Sequence, residues 1–169
     1  MSRTLDSDPI EEARRQWLNH DWAQAADGMA AVTSIVRVQQ IMLQRIDAVL
    51  RPLDLTFARY EILTLLSFTK YGSLPMTRMG TLLQVHPTSV TSAVDRLEAQ
   101  GFAERLPHPS DRRAVLASIT KLGLKQSAKA TTALNAEVFE QLGLRPEQIE
   151  SLLGILRTMR TNAGDFSTK

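Results

Sequence analysis

The chain has 169 residues, enough for one domain with a sizeable core, and its 43% hydrophobic and 22% charged residues are the balance of an ordinary globular protein. It contains no cysteine, which excludes disulfides, thiolate catalysis and cysteine redox sensing. The formal net charge is only +2, but it is unevenly spread: from 75 to 125 seven bases face four acids, whereas from 1 to 27 three bases face six acids. A basic middle suggests a polyanionic partner, although a solvated face can produce a similar local excess. No apolar run approaches the roughly 20 residues of a membrane span. The opening MSRTLDSDPIEEARR lacks the apolar core of a secretory signal, so a cytoplasmic protein with no membrane partner is expected. His20, His86 and His108 lie far apart without metal-ligand spacing, so neither a metal nor a cofactor is expected.

The elements in chain order are mostly helical. Residues 1–9 read as a loose tail, and Pro9 suits the first position of a short helix whose first turn carries Glu11 and Glu12. Gly28 is a possible break. From 29 to 50, Val32, Ile35, Val36, Met42, Leu43, Ile46 and Val49 recur at helical spacing, forming a band broad for one helix, and Pro52 stops it. Thr56 can cap the next helix, with Phe57, Tyr60, Ile62, Leu63, Leu65 and Leu66 as its apolar surface. Tyr71-Gly72-Ser73 reads as a loop. Pro75 should open a short helix ending at Leu83, Val85-His86-Pro87 a turn, and Pro87 a second helix that runs to about Gln100 before Gly101. The segments 102–106 and 115–119 are extended and flank Pro107-His108-Pro109-Ser110-Asp111-Arg112-Arg113, whose prolines argue against regular pairing and for a projecting loop. Thr120 is a plausible cap for a helix from 121 to about 141. Gly143 breaks it, and Pro146 opens a last helix with Ile149, Leu152, Leu153 and Leu156 on one face.

Helix, turn, helix and a two-stranded basic loop together describe a winged helix-turn-helix: a mainly α fold with a small antiparallel β-wing, flanked by N- and C-terminal helices. In the helix after Pro87, Val90, Ala93, Val94 and Leu97 fall on one side of the wheel and should pack inward. Thr88, Ser92 and Asp95 point the other way, flanked by Ser89, Thr91 and Arg96. A small, hydroxyl-rich, uncharged N-terminal half suits entry into a major groove, where Ser and Thr bond base edges or phosphates without bulk. The bland alternative is a surface helix that happens to be rich in Ser and Thr, though such residues add little to a helix interior. His108, Arg112 and Arg113 sit at the loop, and a guanidinium there suits the negative potential of a narrow minor groove. Asp111 could instead pair with Arg113 or Arg105 and simply hold the loop.

The run Thr88-Ser89-Val90-Thr91, then Val94-Asp95-Arg96-Leu97-Glu98, Gly101, Arg105, Asp111-Arg112-Arg113 and Ile119-Thr120 with Gly123 resembles the signature of MarR-type transcriptional regulators. Leu55-Thr56, Arg59 and Ile62-Leu63 resemble the same family's preceding helix, and the likeness covers roughly 30–162. It implies a homodimer joined through its N- and C-terminal helices, with recognition helices in successive major grooves of double-stranded, pseudo-palindromic operator DNA, usually as a repressor. The helix before residue 28 is an addition to the usual pattern, and Pro75 and Gly80 stand where polar and Ala residues are more usual. The expected division is 1–28 tail and extra helix, 29–52 and 121–162 dimerisation helices, and 53–120 DNA-binding lobe. The apolar bands on 29–50 and 146–162 support a second subunit independently, unless they cover each other within one chain.

The resemblance also implies a small aromatic or anionic effector that releases DNA. Trp17, His20, Trp22, Arg37, Arg59 and Tyr60 are candidates to line its pocket, although Trp17 and Trp22 could equally anchor the extra helix to the core. A catalytic role is not expected: the chain is too short for a second, enzymatic domain, and its Ser, His and Asp residues form no recognisable triad spacing. A winged helix that binds protein and has lost DNA is the alternative.

Overall fold

The computed structural model describes residues 5–111 and 114–167. The order of elements is α1 (Pro9–Leu18), α2 (Ala26–Leu50), α3 (Phe57–Ser67), β1 (Ser73–Pro75), α4 (Met76–Leu83), α5 (Pro87–Ala99), β2 (Ala103–Pro107), β3 (Val115–Ile119), α6 (Lys121–Leu134) and α7 (Pro146–Asn162). The mainly α architecture with a small antiparallel wing is as the sequence suggests.

Local chemistry explains most of the boundaries. The Asp8 carboxylate accepts from the Ile10 amide at the start of α1, and Pro9 occupies the first turn, where a missing N–H costs nothing. Thr56 caps α3 by accepting from the Arg59 amide, and Thr120 caps α6 by accepting from the Gly123 amide. Four boundaries differ from the expectation. Gly28 does not break a helix; it lies in the first turn of α2, which begins at Ala26. Glycine in a first turn disturbs few intrahelical bonds, so its poor helix propensity matters little there. Ser73 belongs to a strand rather than a loop, and Pro75 ends that strand instead of opening α4. The two prolines also fail to forbid pairing throughout the loop, because Pro107 is the last residue of β2, opposite Val115. Finally, α6 is regular only to Leu134 and continues as a wide π turn, Asn135–Phe139.

The sheet has strand order β1-β3-β2, antiparallel throughout, with Leu74 facing Ala117 and Arg105 facing Ala117 from the other side. The core sits beneath it. Leu63 and Leu66 of α3, Met79 of α4, Val90, Val94 and Leu97 of α5, Ala117 of β3 and Leu134 of α6 are all buried, joined by Leu50 at the end of α2. One close approach locks the start of β2 to α6. A Cβ on Gly123 would stand 2.0 Å from the Phe102 carbonyl oxygen, so only glycine fits. That carbonyl accepts from the Thr120 amide at 3.0 Å, and the Thr120 hydroxyl donates to the Gly101 carbonyl at 2.7 Å.

The ends of the chain pack differently. α7 buries none of its residues, and α1 buries none either. Leu152, Leu153, Ile155 and Met159 of α7 are exposed, as are Val32, Ile35, Val36, Val38, Ile41 and Leu43 of α2. The two apolar bands therefore do not cover each other within one chain. Among the described residues no helix is long and apolar enough to cross a membrane.

Candidate nucleic-acid interface

The candidate reading surface is built on α5. Val90, Val94 and Leu97 anchor its inner face in the core, which turns Thr88, Ser89, Thr91, Ser92, Asp95 and Arg96 outward, all exposed. Pro87 is the first residue of the helix, and His86 is its cap. The His86 Nδ1 accepts from the Thr88 amide at 3.3 Å and lies 3.1 Å from the Thr88 hydroxyl. A ring nitrogen that accepts carries no proton, so this cap uses the tautomer with its N–H at Nε2. The sequence analysis placed His86 in a turn and missed this role. Histidine is not among the usual capping residues, and only the position before Pro87 could have signalled it.

The four hydroxyls of α5 are not equivalent. Thr88 is engaged with His86, and Thr91 donates back to the Pro87 carbonyl at 3.1 Å. Among the described residues, neither the Ser89 nor the Ser92 hydroxyl has a hydrogen-bond partner, so both can donate or accept, while the Ser89 amide donates to the His86 carbonyl. Arg96 likewise forms no ion pair among the described residues. Its cation stands open beside them at one wall of a cleft of about 750 Å³ lined by Asp54, Thr56, Arg59, Thr88, Ser89, Ser92, Ala93, Arg96, Ala99 and Gln100. Across that cleft, Arg59 donates from Nη1 to the Gln100 Oε1 at 2.9 Å and from Nε to the Thr56 hydroxyl at 3.3 Å. Gln100 in turn donates to the carbonyl and the carboxylate of Asp54, at 2.7 and 2.8 Å. This network ties the start of α3 to the end of α5, while the helix N-terminus of α5 presents a favourable potential for anions.

The strand β2 holds α5 from its other side. Arg105, with 28% of its side chain exposed, pairs with Asp95 at 2.7 Å and with Glu98, and the Glu98 carboxylate also accepts from the Arg105 amide at 2.8 Å. Arg105 therefore spends its ion pairs on α5. The wing turn is organised by His108, whose Nδ1 accepts from the amides of Ser110 and Asp111 at 3.3 and 3.2 Å. Arg112 and Arg113, the guanidinium groups expected at the tip, lie outside the described residues.

The expected effector residues do not form one pocket. Trp17, His20 and Trp22 come together: Trp22 packs edge-on against Trp17 and stacks on His20, both at 5.4 Å between ring centroids. With Asp21, Ala23, Gln24 and Ala25 they line an open cleft of about 670 Å³. Trp22 remains 56% exposed, so it is not an anchor sunk into the core. Arg59 belongs instead to the cleft beside α5. Arg37 is exposed on α2 and donates to Gln40 at 3.3 Å. Tyr60 is a core residue at 6% exposure, its hydroxyl 3.2 Å from that of Thr131. Aromatic character placed Tyr60 among ligand-lining groups, but its helix register turns it inward.

Comparison with known proteins accords with this geometry. Residues 55–115, from the residue before the cap of α3 to the first residue of β3, match the model of the MarR family. The multiple antibiotic resistance protein MarR of Escherichia coli is 27% identical over 110 residues, spanning 64% of this chain and 75% of that protein. Among solved structures, Sco3205 of Streptomyces coelicolor, a MarR family transcriptional regulator in complex with DNA, is 25% identical with a TM-score of 0.73, covering 81% of this chain and 88% of that one. Sco5413, a MarR family transcriptional regulator of the same organism, is 46% identical with a TM-score of 0.76, covering 84% of this chain and 99% of that one. With nearly all of a solved member matched at that identity, the chain belongs to the MarR family of transcriptional regulators.

Proposed function

We propose that the protein is a homodimeric, sequence-preferring DNA-binding regulator, most simply a repressor, in which α5 enters the major groove and the wing reaches the adjacent minor groove. The observation that carries this reading is the outward face of α5, where among the described residues the Ser89 and Ser92 hydroxyls have no hydrogen-bond partner and Arg96 no ion pair, on a helix whose opposite face is locked into the core. Ser89 and Ser92 can serve either polarity of base edge or a phosphate, whereas Thr88 and Thr91, with their protons engaged, offer oxygen lone pairs to amino groups. Arg96, His108 and the guanidinium groups of Arg112 and Arg113 supply phosphate and minor-groove attraction. Sco3205, crystallised with DNA, supports the same use of the fold.

The exposed apolar bands of α2 and α7 supply the surface for a second copy, with α6 beside them, and two-fold symmetry would set the two α5 helices ~34 Å apart, one turn of DNA. A small aromatic or anionic effector would act by population shift. A ligand that prefers a dimer with the wrong spacing weakens DNA binding by that preference, typically about 1–3 kcal/mol. Trp17, His20 and Trp22 offer one candidate wall for it, and Arg59 in the α3–α5 cleft another. In vitro selection from random duplexes, followed by fluorescence anisotropy at several salt concentrations, tests the DNA reading. Steeply salt-dependent binding with a recovered pseudo-palindrome is expected, and binding without sequence preference overturns it. A thermal-shift screen of aromatic carboxylates tests the effector, since a ligand of the folded state raises the unfolding midpoint.

A further inference from the structure

The segment that follows α7 returns to the DNA-binding lobe. Gly164, at φ +73, turns the chain, and two backbone bonds close the end of the helix: Gly164 N–H to the Thr161 carbonyl and Asp165 N–H to the Arg160 carbonyl, both at 3.0 Å. This is a Schellman ending, and its left-handed position favours glycine, which has no Cβ to strain it. It throws Asp165 against the turn of the helix-turn-helix. Gln84, 81 positions earlier, donates from Nε2 to the Asp165 Oδ1 at 2.6 Å and reaches its carbonyl oxygen at 3.4 Å. Arg160 donates from Nε to the other carboxylate oxygen at 2.6 Å, and its guanidinium lies 5.1 Å over the Phe166 ring. Both carboxylate oxygens are thus occupied, one from α7 and one from the turn.

The place that is gripped is well chosen. Gln84 ends α4 in the left-handed region, at φ +54, a conformation uncommon for a residue with a side chain. It stands two positions before His86, the cap of α5. Any displacement of Gln84 is passed through two residues to the start of the recognition helix. The helix at the other end, α7, buries nothing within its own chain, so its direction is set by what covers its exposed Leu152, Leu153, Ile155 and Met159. The carboxyl of Asp165 is held below its ordinary value chiefly by the hydrogen bond from Arg160; burial opposes this, and the hydrogen bond from Gln84 and the charge of Arg160 add smaller lowering effects.

We infer that Asp165 is a positioning residue for DNA recognition: by clasping Gln84 it couples the direction of α7 in the dimer to the placement of α5, and so sets which half-site spacing the dimer accepts. The inference rests on the DNA-binding reading above. Its test uses the full chain, the selected operator, and versions of that operator with one base pair inserted or removed between half-sites. The wild type should lose affinity steeply on either change. Asp165→Ala should bind the best operator about fivefold more weakly, the worth of one hydrogen bond, and should discriminate less between spacings. Gln84→Ala, which leaves the Arg160–Asp165 pair in place, should relax spacing discrimination in the same direction, and the double variant should add nothing to Asp165→Ala, because the Gln84–Asp165 contact is already lost there. Asp165→Asn, which keeps its acceptor for one partner, should fall between. Dimerisation and the salt slope should be unchanged, which a general loss of folding would not allow. Unaltered spacing discrimination in Asp165→Ala, or fully additive effects in the double variant, would overturn the clasp while leaving DNA binding intact. A wild type with no sequence preference would overturn the DNA reading and the positioning role together.

Discussion

The lobe and the terminal helices solve the burial problem in opposite ways. In the lobe, α3, α4, α5 and the sheet close over a core in which Leu63, Leu66, Met79, Val94 and Leu97 are fully buried by residues of the same chain. α7 is longer than α5 and has Leu152, Leu153, Ile155 and Met159 on its surface, yet it buries no residue. The hydrophobic effect stabilises the first region without help. It can stabilise the second only when another surface removes that area from water, at roughly 25 cal/mol per Å². A molecule built this way has a lobe that closes its own core and a terminal helix whose apolar surface is left for another surface to cover.

Four substitutions would break or sharpen this contrast. The largest effect is expected inside the lobe. Gly123→Ala drives a Cβ into the Phe102 carbonyl, and since backbone rather than a flexible side chain must move, the cost should be about 3 kcal/mol or more. Thermal unfolding should show a lowered midpoint, and an unchanged one would mean that the α6 start is looser than it looks. Next, Ile155→Glu on α7 should leave the lobe folded by circular dichroism but shift the sedimentation profile toward monomer. Operator affinity should then fall by about a hundredfold, because the second half-site no longer binds intramolecularly. A dimer that survives this change would place the interface elsewhere.

A smaller loss is expected from Arg96→Ala, which removes an exposed cation from the reading face without touching the core. Affinity should drop about tenfold across sequences and the salt slope should decrease by about one, both readable from anisotropy titrations. The smallest effect concerns Glu61, which lines a small recess between α3 and α5 with Leu83, Val85, Ser89 and Ala93. Burial pushes its carboxyl pKa up, so ionising it costs more in the folded chain than in the unfolded one. That penalty is absent at low pH, where both states are protonated, and grows as pH rises through the interval between the ordinary and the raised value. Glu61→Gln should therefore raise the unfolding midpoint slightly at pH 7 and lose that advantage near pH 4. An equal gain at both pH values would mean the carboxylate is not desolvated.

Much of the lobe was legible from local pattern. The inward set Val90, Val94 and Leu97 follows from helical spacing, and the caps Thr56 and Thr120 from their position before apolar runs. The third strand was not legible. Ser73–Pro75 has too few residues for a periodic signal and is a strand only because β3 offers it partners. The effector candidates were the least legible. Composition grouped six residues, while packing sent Tyr60 to the core, Arg59 to the α5 cleft and Arg37 to an open helix face. His86 gave only the sign of standing before Pro87, and Gln84 gave none, since a clasp across 81 positions is visible only once the chain has folded.

What the order of residues determined alone is the set of elements whose cause is local: helices where apolar residues recur every three or four positions, turns where proline and glycine interrupt them, and a hydroxyl-rich helix followed by a basic loop. Those signals act between neighbours and survive without tertiary context. Tertiary structure decided which polar groups are spent and which are left over. Arg105 is consumed by Asp95 and Glu98 while Arg96 stays open, and Asp165 meets Gln84 rather than solvent. Pairing depends on distance in space, and two cations of the same type cannot be told apart until folding has brought carboxylates to one and not to the other.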